Sequence, residues 1–449
     1  MPDSTAPRVA PRPPGHLILG HTLEFQKQPL HFVERMLREH GDVVHFNVAL
    51  LDWYLVAHPD AVWDITVGRP ALFQKPRVNK RIFKQFLGNG LVSSDGEHWK
   101  RQHKLILPGF HRSRIEAYGE TMVRYTLDLL DTWQPGETRD FCADMNALTL
   151  RIVAKTLFNA DVLAEAGVIG EAMRVIEDVL VDHINLPLPL PRWWPSANNR
   201  RKIAAIDAIE GIILRVVEER RASGEDVGDL LSMMVFAQDE AGQRMSNTEL
   251  RDEAMTLIFA GHETTAHAIT WMWFLLSRHP AVLEHLDAEL ARVLGGRAPT
   301  VADLPELPYL EMVVKESMRV LPSVWTFMRE PVEDVVVGGF RIPKGAQIFI
   351  SPYLLHHDAR WFPEPERFDP ERFTKENEKQ IHRGAYLPFS AGPRICLGKS
   401  FAMMETRLIL GTLVQRARPS VPVDHVPEPV PQLSYHPRNG LPTEVVLRG

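Results

Sequence analysis

Cysteine is nearly absent from this chain: there are two, Cys142 and Cys396. A pair so far apart excludes a disulfide framework and suits a reducing compartment such as the cytoplasm. No apolar run approaches the roughly 18 residues of a membrane-crossing helix. The start, Met1 to Pro14, is polar and proline-rich, without a charged-then-apolar leader pattern. No membrane anchor is therefore expected. An excess of one charge is missing as well. The net charge is −6, and no bulk basic character points to nucleic acid. A dinucleotide loop is also lacking. Gly88-Asn89-Gly90 comes closest, but Ser93 stands where the third glycine belongs, and no strong strand precedes it. Repeats and low-complexity linkers are absent too. The 449 residues are read as one domain, with a flexible tail over residues 1–13. A hydrophobic fraction of 45% allows a large core.

Cys142 lies in Asp140-Phe141-Cys142-Ala143, with no partner motif, and is read as core. Cys396 has a different setting. It sits in Phe389-Ser390-Ala391-Gly392-Pro393-Arg394-Ile395-Cys396-Leu397-Gly398, just ahead of a long apolar run from Lys399 to Val414. A loop that feeds a helix N-terminus favours an anion there and lowers a thiol pKa. A lone cysteine is as a rule a small buried hydrophobe. A thiolate in apolar surroundings would instead need a cation, best supplied by a metal.

The second informative stretch is a helix opened by the capping box Ser246-Asn247-Thr248-Glu249. No proline interrupts it before Pro280. Its middle reads Phe259-Ala260-Gly261-His262-Glu263-Thr264-Thr265. Glycine costs about 1 kcal/mol in a helix interior, and glutamate and threonine are unusual choices for a helix buried all round. Gly261 would let a flat cofactor approach the backbone. Thr264 can hydrogen-bond back to the Ala260 carbonyl and loosen the helix.

Phe389, Gly392, Arg394, Cys396 and Gly398 form the pattern Phe-x-x-Gly-x-Arg-x-Cys-x-Gly. With Ala260-Gly261-x-Glu263-Thr264, it resembles the cytochrome P450 superfamily of haem-thiolate monooxygenases. Glu316-x-x-Arg319 and Pro370-Glu371-Arg372-Phe373 add a third and a fourth motif in the family's order. The resemblance runs from about Pro14 to the end. It implies a mainly α fold with small β-sheets, the haem lying between the long helix and the Cys loop. Cys396 would ligate the iron. Thr264 would act in oxygen activation, and Glu263 in proton delivery. Trp99, His103 and Arg329 would hold propionates, with His103 standing where arginine is commoner. Glu316, Arg319 and Arg372 would form a structural triad. Phe86, Leu87, Val324, Trp325, Phe327 and Leu433 would face substrate.

The implied cofactor is haem b, with O2 as co-substrate and NAD(P)H used only through a reductase. With no flavin or nicotinamide fingerprint present, electrons would come from a ferredoxin or flavodoxin with its reductase. Lys100, Arg101, Lys104, Lys399 and Arg407 could form a basic docking face. A soluble, cytoplasmic monomer oxidising a fatty acid, terpenoid, steroid or related lipophile is expected. Arg77 leans slightly towards a carboxylate-bearing fatty acid. A peroxygenase using H2O2 and a non-catalytic haem sensor are the alternatives.

Periodicity predicts helices over 28–40, 114–133, 145–158, 164–183, 200–222 and 304–321. Strands are expected over 42–57 with a turn near Leu51-Asp52, and at 335–337 and 347–350. Lys75 to Ser94 reads as a mobile loop with a short helix, and Asn439-Gly440 as a hairpin turn. Leu186 to Pro195, with alternate prolines, cannot be helical. It is either a self-packed loop or a greasy lid.

Overall fold

The computed structural model describes residues 6–159, 167–176, 194 and 196–448. These fall into two compact units. One comprises Met1–Lys80, Arg319–Arg367 and Thr374–Cys396; the other comprises Arg81–Met318, Phe368–Phe373 and Leu397–Gly449.

The first unit is built on a five-stranded sheet. Val43–Val48 and Leu51–Val56 pair antiparallel, and Leu51–Val56 pairs in parallel with Gln347–Ile350. Phe327–Pro331 and Phe73–Gln74 complete the order. Alternation sorts the side chains. Val43, Val56, Ile348 and Ile350 join Ala61, Val62 and Ile65 in one buried cluster. Elsewhere Phe46, Trp53 and Phe349 gather with Phe25 and Phe32, the Phe32 and Phe46 ring centres being 5.2 Å apart. The hairpin turn falls two residues earlier than expected. Ala49 and Leu50 take left-handed φ values of 51° and 65°, and Leu51 and Asp52 are already paired. A two-residue turn of this kind matches the strand twist.

Residues 8–11 are not a free tail, which corrects the expectation for residues 1–13. Arg8 exchanges backbone hydrogen bonds with Gly339 and Arg341 at 2.9 Å, and its guanidinium lies 4.1 Å from the Phe340 ring centre. The Pro11 carbonyl accepts from His45 N at 2.9 Å. The short hairpin Val335–Val337 and Phe340–Ile342 thereby gains a partner for its open edge.

The second unit is mainly helical. Its longest element, Asn247–Arg278, has 32 residues and starts at the expected capping box. It packs along Phe141–Phe158, where the Thr149 hydroxyl donates to the His262 carbonyl at 2.9 Å. Three expected helices appear as Pro29–His40, Ala197–Ser223 and Pro308–Val320. The run 114–133 divides into Arg112–Ala117 and Gly119–Leu130. Only 167–176 of the helix expected over 164–183 is described. The 186–195 segment lies outside the described residues except for Trp194.

Two further expectations are corrected. The short helix expected within 75–94 runs over Arg77–Leu87 and takes up most of the stretch read as loop, because Ile82, Phe86 and Leu87 give it one buried face. The glycines after it allow close approach to the long helix. Asn89 N donates to Asp252 Oδ2 at 2.6 Å and Leu91 N to Glu253 Oε2 at 3.0 Å. A Cβ on Gly90 would lie 2.2 Å from Thr256 Oγ1. Asn439-Gly440 does not close a hairpin. Tyr435–Pro437 pairs with Pro429–Pro431, and Pro442–Glu444 crosses to Thr138–Asp140. The Asp140 carboxylate secures that crossing by accepting from Leu441 N at 2.9 Å.

Candidate active site

Gly392 shapes the loop that presents Cys396. Its φ is +70°, and a Cβ built there would lie 1.8 Å from the Thr66 carbonyl oxygen. No other residue fits. Cys396 N donates to Phe389 O at 3.0 Å, which closes the loop, and the Cys396 side chain is exposed. The helix Lys399–Arg416 begins just beyond it, with Gly398 as its N-cap. Phe389 and Arg394 are half-buried in the same loop. Cys142 is the opposite case. Burial, then Asp140, push its thiol up to about 12, so it is inert core.

In the middle of the long helix His262, Glu263 and Thr265 are buried, while Ala260 is exposed and Thr264 half-buried. Ala260 and Thr264 stand four apart, so they share a face. The Thr264 hydroxyl donates to the Ala260 carbonyl at 2.8 Å, as expected from the sequence. Gly261 has a different role from the one expected. A Cβ there would point at Val153 Cγ2, 3.1 Å away on Phe141–Phe158. Its small size serves helix-helix packing, and Ala260 carries the open face.

Glu263 lies in a polar group that local sequence did not reveal. Ser434 Oγ is 2.6 Å from Glu263 Oε1, 3.0 Å from His267 Nδ1 and 3.4 Å from His436 Nδ1. The two imidazoles stack with centres 5.0 Å apart. Burial raises the Glu263 carboxyl, against the opposing hydrogen bond from Ser434. Burial, then His436 and His262, hold His267 well below its ordinary value. A protonated acid and neutral rings can thus coexist here without a buried net charge.

Glu405, on Lys399–Arg416, is a second unanticipated carboxyl. It is fully buried, and its oxygens make no hydrogen bond of ordinary geometry. Burial raises it to about 8, outweighing the Thr265 hydroxyl. The sequence signal was a glutamate inside an apolar helical run. Since the folded pKa lies above the unfolded value of 4.5, folding retains a proton through that window. Stability therefore falls as pH rises towards 8, by about 1.4 kcal/mol per unit from this group. Glu405→Gln should abolish that slope in urea unfolding at pH 5.5 and 8. Parallel pH dependences in variant and parent would refute the assignment.

Trp99 and His103 lie on Gly96–Ile106 with ring centres 4.9 Å apart, both half-buried. In the first unit, buried Arg329 donates to the Met328 carbonyl at 2.9 Å and stands 5.0 Å from the Phe327 ring centre. Glu316 is fully buried. It accepts from Asp369 N at 2.8 Å and approaches Arg372 Nε at 3.5 Å. Arg319 donates to the His356 and Arg367 carbonyls at 2.9 and 3.0 Å. These groups satisfy loop backbone, which is a structural task.

Three of the expected substrate-facing residues are packed into core. Phe86 lies 5.5 Å from the Phe259 ring centre, Leu87 is fully buried, and Trp325 packs on Phe349. Val324, Phe327 and Leu433 stay half-buried. The expected basic face is largely neutralised. Arg101 pairs with Asp239 and Glu249, Lys104 with Glu240, Lys100 with Glu97 and Arg407 with Glu311. Paired charges project little net field, which leaves Lys399 as the exposed member of the set without a described ion pair. Arg77 is likewise held by Glu330 at 3.0 Å and is no free carboxylate anchor.

The cytochrome P450 family model matches residues 11–442. Cyclooctatin synthase of Streptomyces melanosporofaciens is 38% identical over 429 residues, covering 95% of this chain and 91% of that protein. Cyclooctat-9-en-7-ol 5-monooxygenase of the same organism is 37% identical over 418 residues, covering 92% and 89%. The crystal structure of the cytochrome P450DA heme domain superposes with a TM-score of 0.89 at 28% identity, covering 99% of each chain. This chain belongs to the cytochrome P450 family. It is a monooxygenase with that family's fold. Among the described residues, no helix is long and apolar enough to cross a membrane.

Proposed function

We propose that this enzyme hydroxylates a terpenoid-type lipophile, a largely hydrocarbon skeleton or its mono-alcohol. The observation that carries the reading is the similarity to cyclooctatin synthase and to a monooxygenase named for cyclooctat-9-en-7-ol. The engagement of Arg77 by Glu330 supports it by removing the one feature that favoured a fatty acid. Electrons would come from a ferredoxin or flavodoxin with an NAD(P)H-dependent reductase, in the cytoplasm.

Each unit carries groups of the kinds that hold a haem b. In the first, Cys396 offers an exposed sulfur and Arg329 a donor suited to a propionate. In the second, Ala260 and Thr264 leave an open helix face, and Trp99 and His103 offer further donors. When bound, a thiolate-ligated haem supplies the oxidising chemistry. The protein's residues orient and protonate. Cys396 would anchor the group and set its electron density. Thr264 keeps its proton on the Ala260 carbonyl, so its oxygen lone pairs are available to steady a donor proton. Glu263, whose burial favours the protonated form, would supply that proton.

The test is spectroscopic. The reduced protein with carbon monoxide should show the red-shifted Soret band of a thiolate complex. Terpenoid alkenes or alkenols should then shift the ferric spin state at lower concentrations than fatty acids. A response to fatty acids alone would overturn the substrate assignment.

A further inference from the structure

We infer that Ser434 and His436, with His267 beside them, form a proton path that recharges Glu263 from solvent. This rests on the reading of Glu263 as the proton donor. Ser434 has its oxygen within reach of three titratable side chains, at 2.6, 3.0 and 3.4 Å. It lies 171 residues from Glu263, next to the strand Tyr435–Pro437. Of the four residues, Glu263, His267 and Ser434 are buried, and His436 is half-buried. His436 is therefore the point where the group meets water.

The transfer balances as follows. Glu263 releases its proton towards Thr264 and is left as a carboxylate. The Ser434 hydroxyl passes its proton to Glu263 Oε1. Ser434 takes one from His436 Nδ1, and His436 gains one from water at Nε2. One proton enters and one leaves; the ring is left as the Nε2–H tautomer and returns to the Nδ1–H form by losing its Nε2 proton to water and regaining one at Nδ1. His267 cannot serve as the entrance because it is buried. Its Nδ1 lies 3.0 Å from Ser434 Oγ and 3.7 Å from Glu263 Oε1, where it orients the hydroxyl. Burial first, and the Arg438 charge after it, hold His436 below its ordinary value against a hydrogen bond to the Ser434 backbone, so a proton arriving there is passed on.

The experiment compares Ser434→Ala, Ser434→Thr and His436→Phe in the haem-loaded enzyme with its redox partners. The first reading is the reduced carbon monoxide spectrum and the substrate spin shift, which all three variants should retain. If the parent itself lacks the thiolate band, the function proposed above fails. If the parent passes, productive turnover in Ser434→Ala and His436→Phe should drop on the order of tenfold. That is less than the roughly 10²–10⁴ of a directly positioned general acid, because stray water can substitute in part. The solvent deuterium isotope effect on turnover should rise, and Ser434→Thr should restore both. Infrared spectroscopy supplies a reading independent of turnover. The protonated carboxyl band that disappears in Glu263→Gln should move to higher frequency in Ser434→Ala. Parental turnover and isotope effect in His436→Phe would overturn the path and leave Ser434 as a support for Glu263. An unmoved carboxyl band in Ser434→Ala would overturn the contact itself.

Discussion

Cys396→Ser should remove the red-shifted Soret band of the reduced, carbon monoxide-treated enzyme and abolish turnover. A serine hydroxyl is nearly isosteric with the thiol, so the loop has no reason to collapse. Gly392 still sits against the Thr66 carbonyl, and residue 396 N still donates to Phe389 O. What changes is the ligand. A thiolate is the sulfur ligand that pushes electron density onto a haem iron, and a serine hydroxyl does not replace it. The loss should therefore be of electronic character, with folding intact by far-ultraviolet circular dichroism. A variant with the parental band and rate would show that Cys396 is not the ligand.

Thr264→Ala should have the second largest effect. Reductant consumption continues while product falls, roughly tenfold or more, and peroxide accumulates. The hydroxyl has two separable roles in this structure. It bonds the Ala260 carbonyl at 2.8 Å, and as an acceptor it would steady a donor proton on the face it shares with exposed Ala260. Thr264→Ser keeps both and should stay coupled. Thr264→Val keeps the shape and neither role, and should uncouple like alanine. Equal product yield in all three would reduce Thr264 to ordinary packing. Peroxide appears because a misdirected or late proton releases partly reduced oxygen. For that reason Thr264→Ala and Ser434→Ala should fail in the same direction for different causes.

The fold was legible where local signals agree. The capping box at Ser246, the strands Val335–Val337 and Gln347–Ile350, and the Thr264 back-bond each follow from a few adjacent residues. Misreadings arose where a partner distant in sequence decides the outcome. Gly261 was assigned to a cofactor because Val153 could not be seen facing it. Arg77 looked available because Glu330, which immobilises it, is 253 positions away. The basic docking face dissolved for the same reason, since its counter-ions come from other segments. Ser434, His267 and His436 carry no motif. Only the fold brings them to Glu263, which is why no reading of adjacent residues could find them.

The contrast between positions 260 and 261 bears on redesign. Position 261 is tight, since a Cβ there would lie 3.1 Å from Val153 Cγ2 and Val153 would have to give way. Position 260 is next to it on the chain, yet its methyl group has open space. Enlarging Ala260 to valine or leucine would trim the room beside Thr264 without disturbing the helix pair. A library meant to change which face of a substrate is oxidised should vary residue 260 and leave its neighbour fixed.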